Sequence, residues 1–197
     1  MKKILFLLLL TTNIYGQHLQ VELIEPLVNS SFRGLSVVNN EIAWVSGSNG
    51  WVGVSLNGGT NWDFHQVKNF EQVDFRSLYA FSATKALIAN AGSPATILIT
   101  DDGGLNWKEV YRNESKEAFL DGVDFWNNSE GIIYGDPDQG KLAMLRTSDG
   151  GVTWKEFELS ERPEVVAGEA SFAASGTGIR CYDENKIILA TSAEELP

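Results

Sequence analysis

The chain has 197 residues and a formal net charge of −11 at pH 7. This acidity argues against nucleic acids and anionic membranes as partners, because both select a basic protein surface. The single cysteine, Cys181, cannot form an internal disulfide, so the fold must be stabilised by its apolar core.

Residues 1–16 have the pattern of a secretory signal peptide. Two lysines precede the apolar run Ile4–Leu10, and the small residue Gly16 follows a short polar stretch. The run is too short to span a bilayer. The alternative is a buried N-terminal strand, but no segment this hydrophobic recurs later in the chain. We therefore expect export to the periplasm or the extracellular space, with cleavage after Gly16.

One eight-residue pattern occurs three times, at intervals of 45 and 47 residues. It has a hydroxyl residue, an Asx two positions later, a pair of glycines and then a tryptophan. The Asx and hydroxyl oxygens can accept hydrogen bonds from the backbone of a turn, and the glycines permit positive φ. The hydroxyl, Asx and tryptophan positions are Ser55, Asn57 and Trp62; Thr100, Asp102 and Trp107; and Thr147, Asp149 and Trp154.

Each of these tryptophans begins a short alternating strand and is expected to fold back into the core. Burying an indole removes about 150–250 Å² from water, and truncating one costs about 3–5 kcal/mol. The common spacing therefore predicts three tryptophans buried at equivalent places.

Three more apolar strands accompany each copy of the pattern. The first of each unit is predicted to begin near Phe32, Phe75, Leu120 and Ser171. Four strands in about 45 residues, repeated, are typical of β-propeller blades. We predict an all-β propeller with a closing strand at 18–30, blades at 31–69, 70–114 and 115–162, and a partial fourth blade at 163–197.

The closing strand is predicted because residues 18–23 alternate like the strand after each tryptophan. The fourth unit ends before a third strand, so about three complete blades of a six- to seven-bladed ring are expected. Such an open arc would expose strand edges and favour aggregation or pairing with another chain.

The repeated turns resemble the Asp boxes of bacterial neuraminidase repeats. Over residues 18–190 the layout is similar to secreted relatives of the photosystem II stability and assembly factor. The resemblance implies a propeller whose box turns lie at the blade periphery, away from the ligand-binding face, so the box residues are interpreted as structural. Asp boxes occur in propellers with unrelated tasks, so the resemblance specifies the fold more than the function.

Phe32–Arg33 and Phe75–Arg76 resemble the start of sialidase strands, where arginines from several blades converge on a carboxylate. The third unit has Asp121 at this place, and the fourth has Glu169 or Ala170. The sialidase arginine triad is therefore not present in this stretch, and no Tyr/Glu nucleophile pair can be assigned.

The four polar residues at this position are expected to ring one mouth of the central channel. One interpretation is a patch that binds an anionic or peptide group, and the other is a salt-bridge network between blades. These candidate binding residues are Arg33, Arg76, Asp121 and Glu169.

No metal or cofactor site has a recognisable spacing. Asp136 and Asp138 lie in the turn 134–140, but a calcium loop needs further oxygen ligands, and paired catalytic carboxylates need a defined separation. The two histidines are isolated, and residues 176–178 are only a fragment of a dinucleotide fingerprint. We expect a solvated turn and neither metal nor cofactor.

The favoured function is an exported, non-catalytic binding or assembly module that presents its face to a protein or glycan, as the resemblance implies. Nothing in the sequence identifies a photosynthetic host. The alternative is a sialidase-like glycoside hydrolase whose catalytic residues lie partly outside this chain, and a third option is a passive part of a surface assembly. A hydrolase needs an inward carboxyl with a raised pKa in a pocket, whereas a binding module needs only an exposed face.

Overall fold

The computed structural model describes residues 21–25, 27–166, 168–174 and 176–192. The predicted signal peptide and the first residues of the predicted closing strand lie outside this part. Residues 21–25 form no strand, and Val21 and Leu23 are exposed. The strand predicted at 18–23 is therefore wrong for residues 21–23, because a strand requires a paired neighbour and no described strand lies beside them.

Three four-stranded antiparallel sheets follow one another, and in each of them every strand pairs with the next in sequence. Blade 1 contains β1 (Phe32–Val37), β2 (Ala43–Gly47), β3 (Trp51–Ser55) and β4 (Asp63–Gln66). Blade 2 contains β5 (Phe75–Ala80), β6 (Ala86–Asn90), β7 (Ala95–Thr100) and β8 (Lys108–Asn113). Blade 3 contains β9 (Leu120–Phe125), β10 (Gly131–Asp138), β11 (Lys141–Thr147) and β12 (Lys155–Glu156).

A two-stranded sheet, β13 (Ile179–Tyr182) and β14 (Lys186–Leu189), forms the described part of blade 4. Two short 3₁₀ turns, Ser48–Gly50 and Leu159–Glu161, are the only helical elements in the described ranges. None of the described helices could cross a membrane. The predicted all-β propeller of four-stranded blades is thus confirmed, with three complete blades and part of a fourth.

The core consists of three apolar layers, one at each joint between successive blades. Blade 2 lies between two of them, so β6 is buried along its whole length and its first four residues are all apolar. Large, fully buried side chains of the three layers are Trp44, Phe75 and Ile88; Leu87, Ile97 and Ile133; and Ile132, Tyr134 and Ile179.

One face of blade 1 has no covering layer among the described residues. Leu35 pairs with Val45 in the same register that pairs Leu78 with Ile88 in blade 2. Leu78 is 7% exposed because blade 1 covers it, whereas Leu35 is 60% exposed. The sequence thus gives blade 1 the same apolar face as blade 2, and in the described residues that face contacts solvent.

Several hydrogen bonds across the joints pair a side chain of the earlier blade with a main-chain group of the later blade. Two others join side chains instead, with Tyr111 donating to Glu156 and Arg146 donating to Asn185. At the first joint Ser36 Oγ accepts from Ala80 N–H (3.0 Å), Trp44 Nε1–H donates to Ser82 O (2.9 Å) and Ser46 Oγ–H donates to Phe75 O (2.9 Å). At the later joints Ser77 Oγ–H donates to Asp121 O (2.9 Å), Asp124 Oδ2 accepts from Cys181 N–H (2.7 Å) and Trp126 Nε1–H donates to Lys186 O (2.8 Å).

The innermost strand of blade 4 lies at β13 and not at the predicted position near Ser171. Residues 168–174 contain turns, and Ala170 makes only an isolated bridge to Ser192. Phe172, which suggested a strand, is 60% exposed. The prediction was wrong because a single aromatic residue among small ones does not provide the alternation that a strand needs to bury one face.

Candidate functional site

The three Asp-box turns share one set of hydrogen bonds. The hydroxyl oxygens of Ser55, Thr100 and Thr147 accept the N–H of the second box glycine at 2.8, 3.1 and 3.0 Å. The Asx oxygens of Asn57, Asp102 and Asp149 accept the N–H four residues on, each at 2.9 Å. Both glycines of each box have positive φ, which L side chains rarely adopt. The boxes therefore build turns from their own side chains.

Trp62, Trp107 and Trp154 occupy equivalent places, and each indole N–H donates to the carbonyl oxygen of its second box glycine at 2.9, 3.0 and 3.1 Å. Each ring is half-buried, whereas the sequence pattern predicted that all three would be buried. Each tryptophan immediately precedes the outermost strand of its blade. Trp107 packs edge-on against Trp44 of blade 1, with ring centroids 6.5 Å apart.

The box carboxylates are acceptors within their own turns. The side-chain amide of Asn106, followed by its backbone N–H and the Thr100 hydroxyl, lowers the pKa of Asp102. Asn57 accepts the same backbone bond from Asn61 without carrying charge. The carboxylate is thus used as a hydrogen-bond acceptor, which fits a structural role.

Arg33, Arg76 and Asp121 occupy the same place at the opposite end of three successive blades. Each is the extra residue of a bulge in an innermost strand, because the register skips from Phe32 to Gly34, from Phe75 to Ser77 and from Leu120 to Gly122. A β-bulge redirects the side chain of its extra residue. The structure therefore gives these three residues one geometric origin.

Glu169 does not take the corresponding place in blade 4. Cys181 N–H donates to Asp124 in the same way as Ala80 N–H donates to Ser36, so Cys181 is equivalent to Ala80. Thr177 precedes Cys181 by the same interval that separates Arg76 from Ala80, and it is therefore the residue aligned with the bulged positions. Glu169 instead accepts hydrogen bonds from the Thr191 hydroxyl and from Val166 N–H, and these two bonds lower its pKa. Its assignment to the channel mouth is wrong because β13 begins ten residues after it.

The three aligned side chains have different surroundings. Arg33 is exposed, and Arg76 donates to Asp74 of its own blade at 2.7 Å. Asp121 is 1% exposed. No salt bridge in the described ranges joins any two of the four predicted residues. The predicted inter-blade salt-bridge network is therefore not formed among these residues.

Asp121 belongs to an acidic cluster that we define as Asp121, Tyr134, Asp136 and Ser171, of which Asp136 is half-buried and the other three are buried. Burial and, second, the charge of Asp136 raise the pKa of Asp121 to about 7, while Arg76 opposes the shift. Burial and the same two carboxylates raise the pKa of Tyr134 to about 12. The backbone N–H of Ser171 donates to Asp136 Oδ1 at 3.1 Å. The cluster thus joins blade 3 to the segment that precedes β13.

An axial depression of about 200 Å³ lies where the innermost strands of all four units approach one another. Its apolar wall includes Leu35 and Val37, which are 60% and 65% exposed. Its polar wall includes Asp124 and Arg180. A concave surface with an apolar wall and a few polar groups is suited to holding part of a ligand.

Residues 89–178 match the family model described as photosynthesis system II assembly factor YCF48. Two solved structures share the fold: "YCF48 bound to D1 peptide", with a TM-score of 0.54, and "YCF48 from Cyanidioschyzon merolae", with a TM-score of 0.51. Both are 20% identical to this chain and cover 68% and 67% of it.

The chain is an Asp-box propeller similar to the photosystem II assembly factor YCF48. It spans 42% and 41% of the two solved YCF48 chains. No curated protein sequence matches it significantly. The similarity to the solved structures establishes the fold and leaves the function to be argued from the residues of this chain.

Sequence reasoning missed most of the polar groups that the YCF48-like fold assembles. Asp136 was interpreted as part of a solvated turn, whereas its side chain is half-buried and bonded to Ser171. Tyr134 and Ser171 gave no signal, because their contacts come from distant strands. The two aspartates of the innermost strand β9, Asp121 and Asp124, were the local signals. Within the described ranges, no three His, Cys, Asp or Glu side chains form a metal site.

Proposed function

We propose that this chain is an exported, non-catalytic propeller module whose axial depression binds a segment of a protein partner. The observation that carries the proposal is the exposure of Leu35 and Val37 in the depression beside Asp124 and Arg180. Large apolar side chains grouped in a concave surface with charged neighbours favour a peptide that supplies both apolar and polar groups.

The fold similarity supports a peptide as the class of ligand. One of the similar solved structures is YCF48 bound to a D1 peptide. The photosynthetic identity of that peptide is not part of the proposal, because nothing in this sequence points to a photosynthetic host. The proposal concerns only the place and the chemistry of binding in this chain.

Site-specific photo-crosslinking in the producing cell tests the binding surface. A photoreactive phenylalanine analogue at Leu35 is expected to yield a protein adduct, whereas the same analogue at Leu105 is not. Leu105 is a matched control because it lies in a box turn and is 64% exposed, against 60% for Leu35. No adduct at Leu35, equal adducts at both positions, or an adduct with the mass of two copies would contradict the proposal.

Arg180 provides a second test of the same surface. Arg180→Ala should lower the yield of the Leu35 adduct because it removes the cation at the edge of the depression. Arg112→Ala is the control, since Arg112 lies on the outermost strand β8 and pairs with Glu109 and Glu114. Equal loss in the two variants would mean that general charge, and not the depression, governs binding.

Export is tested separately. Residues 1–20 fused to alkaline phosphatase, which is active only outside the cytoplasm, should give active reporter. Replacing the apolar residues Leu7–Leu10 with serine should abolish that activity. Activity that persists in the variant would contradict a signal peptide in residues 1–16.

Glycoside hydrolysis is the second candidate, and the neighbouring carboxyls Asp121 and Asp136 are the observation in its favour. The pKa of Asp121 is raised to about 7, as a general acid requires. Its side chain is nevertheless only 1% exposed, so a glycosidic oxygen cannot reach it. We expect only background release from fluorogenic sialosides and glucosides. Turnover that is lost on mutating Asp136, Asp138 or Glu169 would overturn the non-catalytic assignment.

A further inference from the structure

Four buried oxygen atoms of the acidic cluster have no hydrogen-bond partner among the described residues. They are both carboxylate oxygens of Asp121, the hydroxyl of Tyr134 and the hydroxyl of Ser171. These residues are 1%, 0% and 8% exposed. Each unpaired buried polar group costs about 1–3 kcal/mol, and native proteins almost always pair such groups with protein, water or an ion. The cluster is therefore incomplete without a ligand.

The register of blade 3 brings Asp121, Tyr134 and Asp136 onto neighbouring strands. Asp121 is the bulged residue of β9, opposite the step from Tyr134 to Gly135. Asp136 is in turn the bulged residue of β10, and its N–H donates to Phe119 O at 3.2 Å. The close approach depends on Gly135, where a Cβ would stand 1.9 Å from that same oxygen. Two successive bulges thus place Asp121 and Asp136 on neighbouring strands, and Asp136 Oδ1 accepts the N–H of Ser171.

The chemistry of the cluster selects a small, hard cation. All its donor atoms are oxygens, and two of the four side chains are carboxylates. The nearby cation Arg76 is held by Asp74 at 2.7 Å and makes no hydrogen bond to Asp121. An arginine or lysine side chain from a partner could not enter a cluster this enclosed, whereas a single ion could. Asp136 also lines a cavity of about 50 Å³ between blades 2 and 3.

We propose that Asp121, Tyr134, Asp136 and Ser171 bind one Ca²⁺ ion, which fastens the segment before β13 to blade 3. Ca²⁺ is favoured over Mg²⁺ because Ca²⁺ accepts protein oxygens in a flexible geometry, whereas Mg²⁺ requires a strict octahedron and retains several waters. Asp136 and Asp138 alone do not provide enough ligands in sequence. The additional oxygens come from β9 and from a segment that lies 35 residues beyond Asp136.

The test uses the full chain after treatment with a chelator. Adding Ca²⁺ should raise the melting temperature, and the same concentration of Mg²⁺ should raise it less. Tb³⁺ should bind at the same place and emit when Tyr134 and the neighbouring aromatic side chains are excited, and Ca²⁺ should displace it. Hydrogen exchange of residues 168–174 should slow when Ca²⁺ is added, because the ion holds that segment against blade 3.

Asp121→Asn and Asp136→Asn should each weaken Tb³⁺ binding by at least about tenfold, because each removes a charged ligand. Asp138→Asn is the matched control on the same hairpin, since Asp138 is exposed, and it should leave binding unchanged. Ser171→Ala removes a single hydroxyl and gives the same answer if an Asp variant misfolds.

Three results would overturn the proposal. The first is a melting temperature that does not respond to Ca²⁺, which would mean that water alone fills the cluster. The second is Tb³⁺ affinity that falls as much in Asp138→Asn as in Asp121→Asn. The third is an equal response to Mg²⁺ and Ca²⁺, which would contradict the flexible set of protein oxygen ligands on which the choice of Ca²⁺ rests.

Discussion

Leu35 and Leu78 hold the same register position in two successive blades, and replacing each with alanine measures what a neighbouring blade contributes. Leu78 is 7% exposed and packs in the layer between blades 1 and 2. Its truncation removes apolar contact and leaves a cavity, so a cost of about 3 kcal/mol is expected. Leu35 is 60% exposed, has no blade over it in the described residues and leaves no enclosed cavity. Its buried fraction corresponds to a cost of about 1 kcal/mol or less.

Urea unfolding of the two variants, followed by circular dichroism, measures both free energies. The expected difference of about 2 kcal/mol between the variants should be the same at low and high protein concentration. Equal destabilisation by the two substitutions would refute the reasoning, because Leu35 would then be covered in solution. A Leu35 cost that grows with protein concentration would identify a second copy as the cover.

Three further outcomes are expected. Thr100→Val leaves the buried Gly104 N–H without its acceptor and should lower the free energy of unfolding, measured in urea, by about 1–3 kcal/mol. The control Leu105→Ser, in the same turn, should change that free energy by less than about 0.5 kcal/mol. The folded pKa of Asp102 is lowered, so its stabilising contribution is present above the unfolded pKa and is lost as pH falls through the folded value; Asp102→Asn should therefore reduce the acid sensitivity seen in melting curves from pH 6 to pH 2. Burial, followed by the charge of Asp124, raises the pKa of the Cys181 thiol to about 12. A disulfide reagent at pH 8 should therefore label the native chain far more slowly than the unfolded chain. Equal labelling rates would contradict the raised pKa of the thiol.

The periodic part of the fold could be predicted from sequence because its signals are local. A box turn is built from side chains within eight residues, and each apolar alternation fixes which face of a strand is buried. The same logic placed Arg33, Arg76 and Asp121 at one position before their bulges were known. Local signals do not report how much a neighbour covers, and for that reason the burial of Trp62, Trp107 and Trp154 was overestimated.

The acidic cluster could not be predicted because its burial comes from distant residues. The sequence around Asp136 has the composition of a solvated turn, and only the segment that contains Ser171 changes that environment. The same segment obscured blade 4, because Phe172 suggested a strand several residues before β13. Where the chain departs from its repeat, composition no longer identifies the position of a strand, and only the contacts in the structure do.

The hydrogen bonds between blades imply an unequal division of evolutionary freedom. Where the earlier blade contributes a side chain and the later blade a peptide group, substitution of the upstream side chain breaks the hydrogen bond, while most substitutions on the downstream strand leave it intact. The four-residue strand β13, Ile-Arg-Cys-Tyr, illustrates this tolerance: it differs at every position from the aligned Leu-Tyr-Ala-Phe of blade 2, yet Asp124 still receives its N–H. A foreign strand with suitable backbone geometry could therefore replace β13 and still donate its N–H to Asp124. A foreign strand in place of β1 would have to provide a serine that accepts the N–H of Ala80.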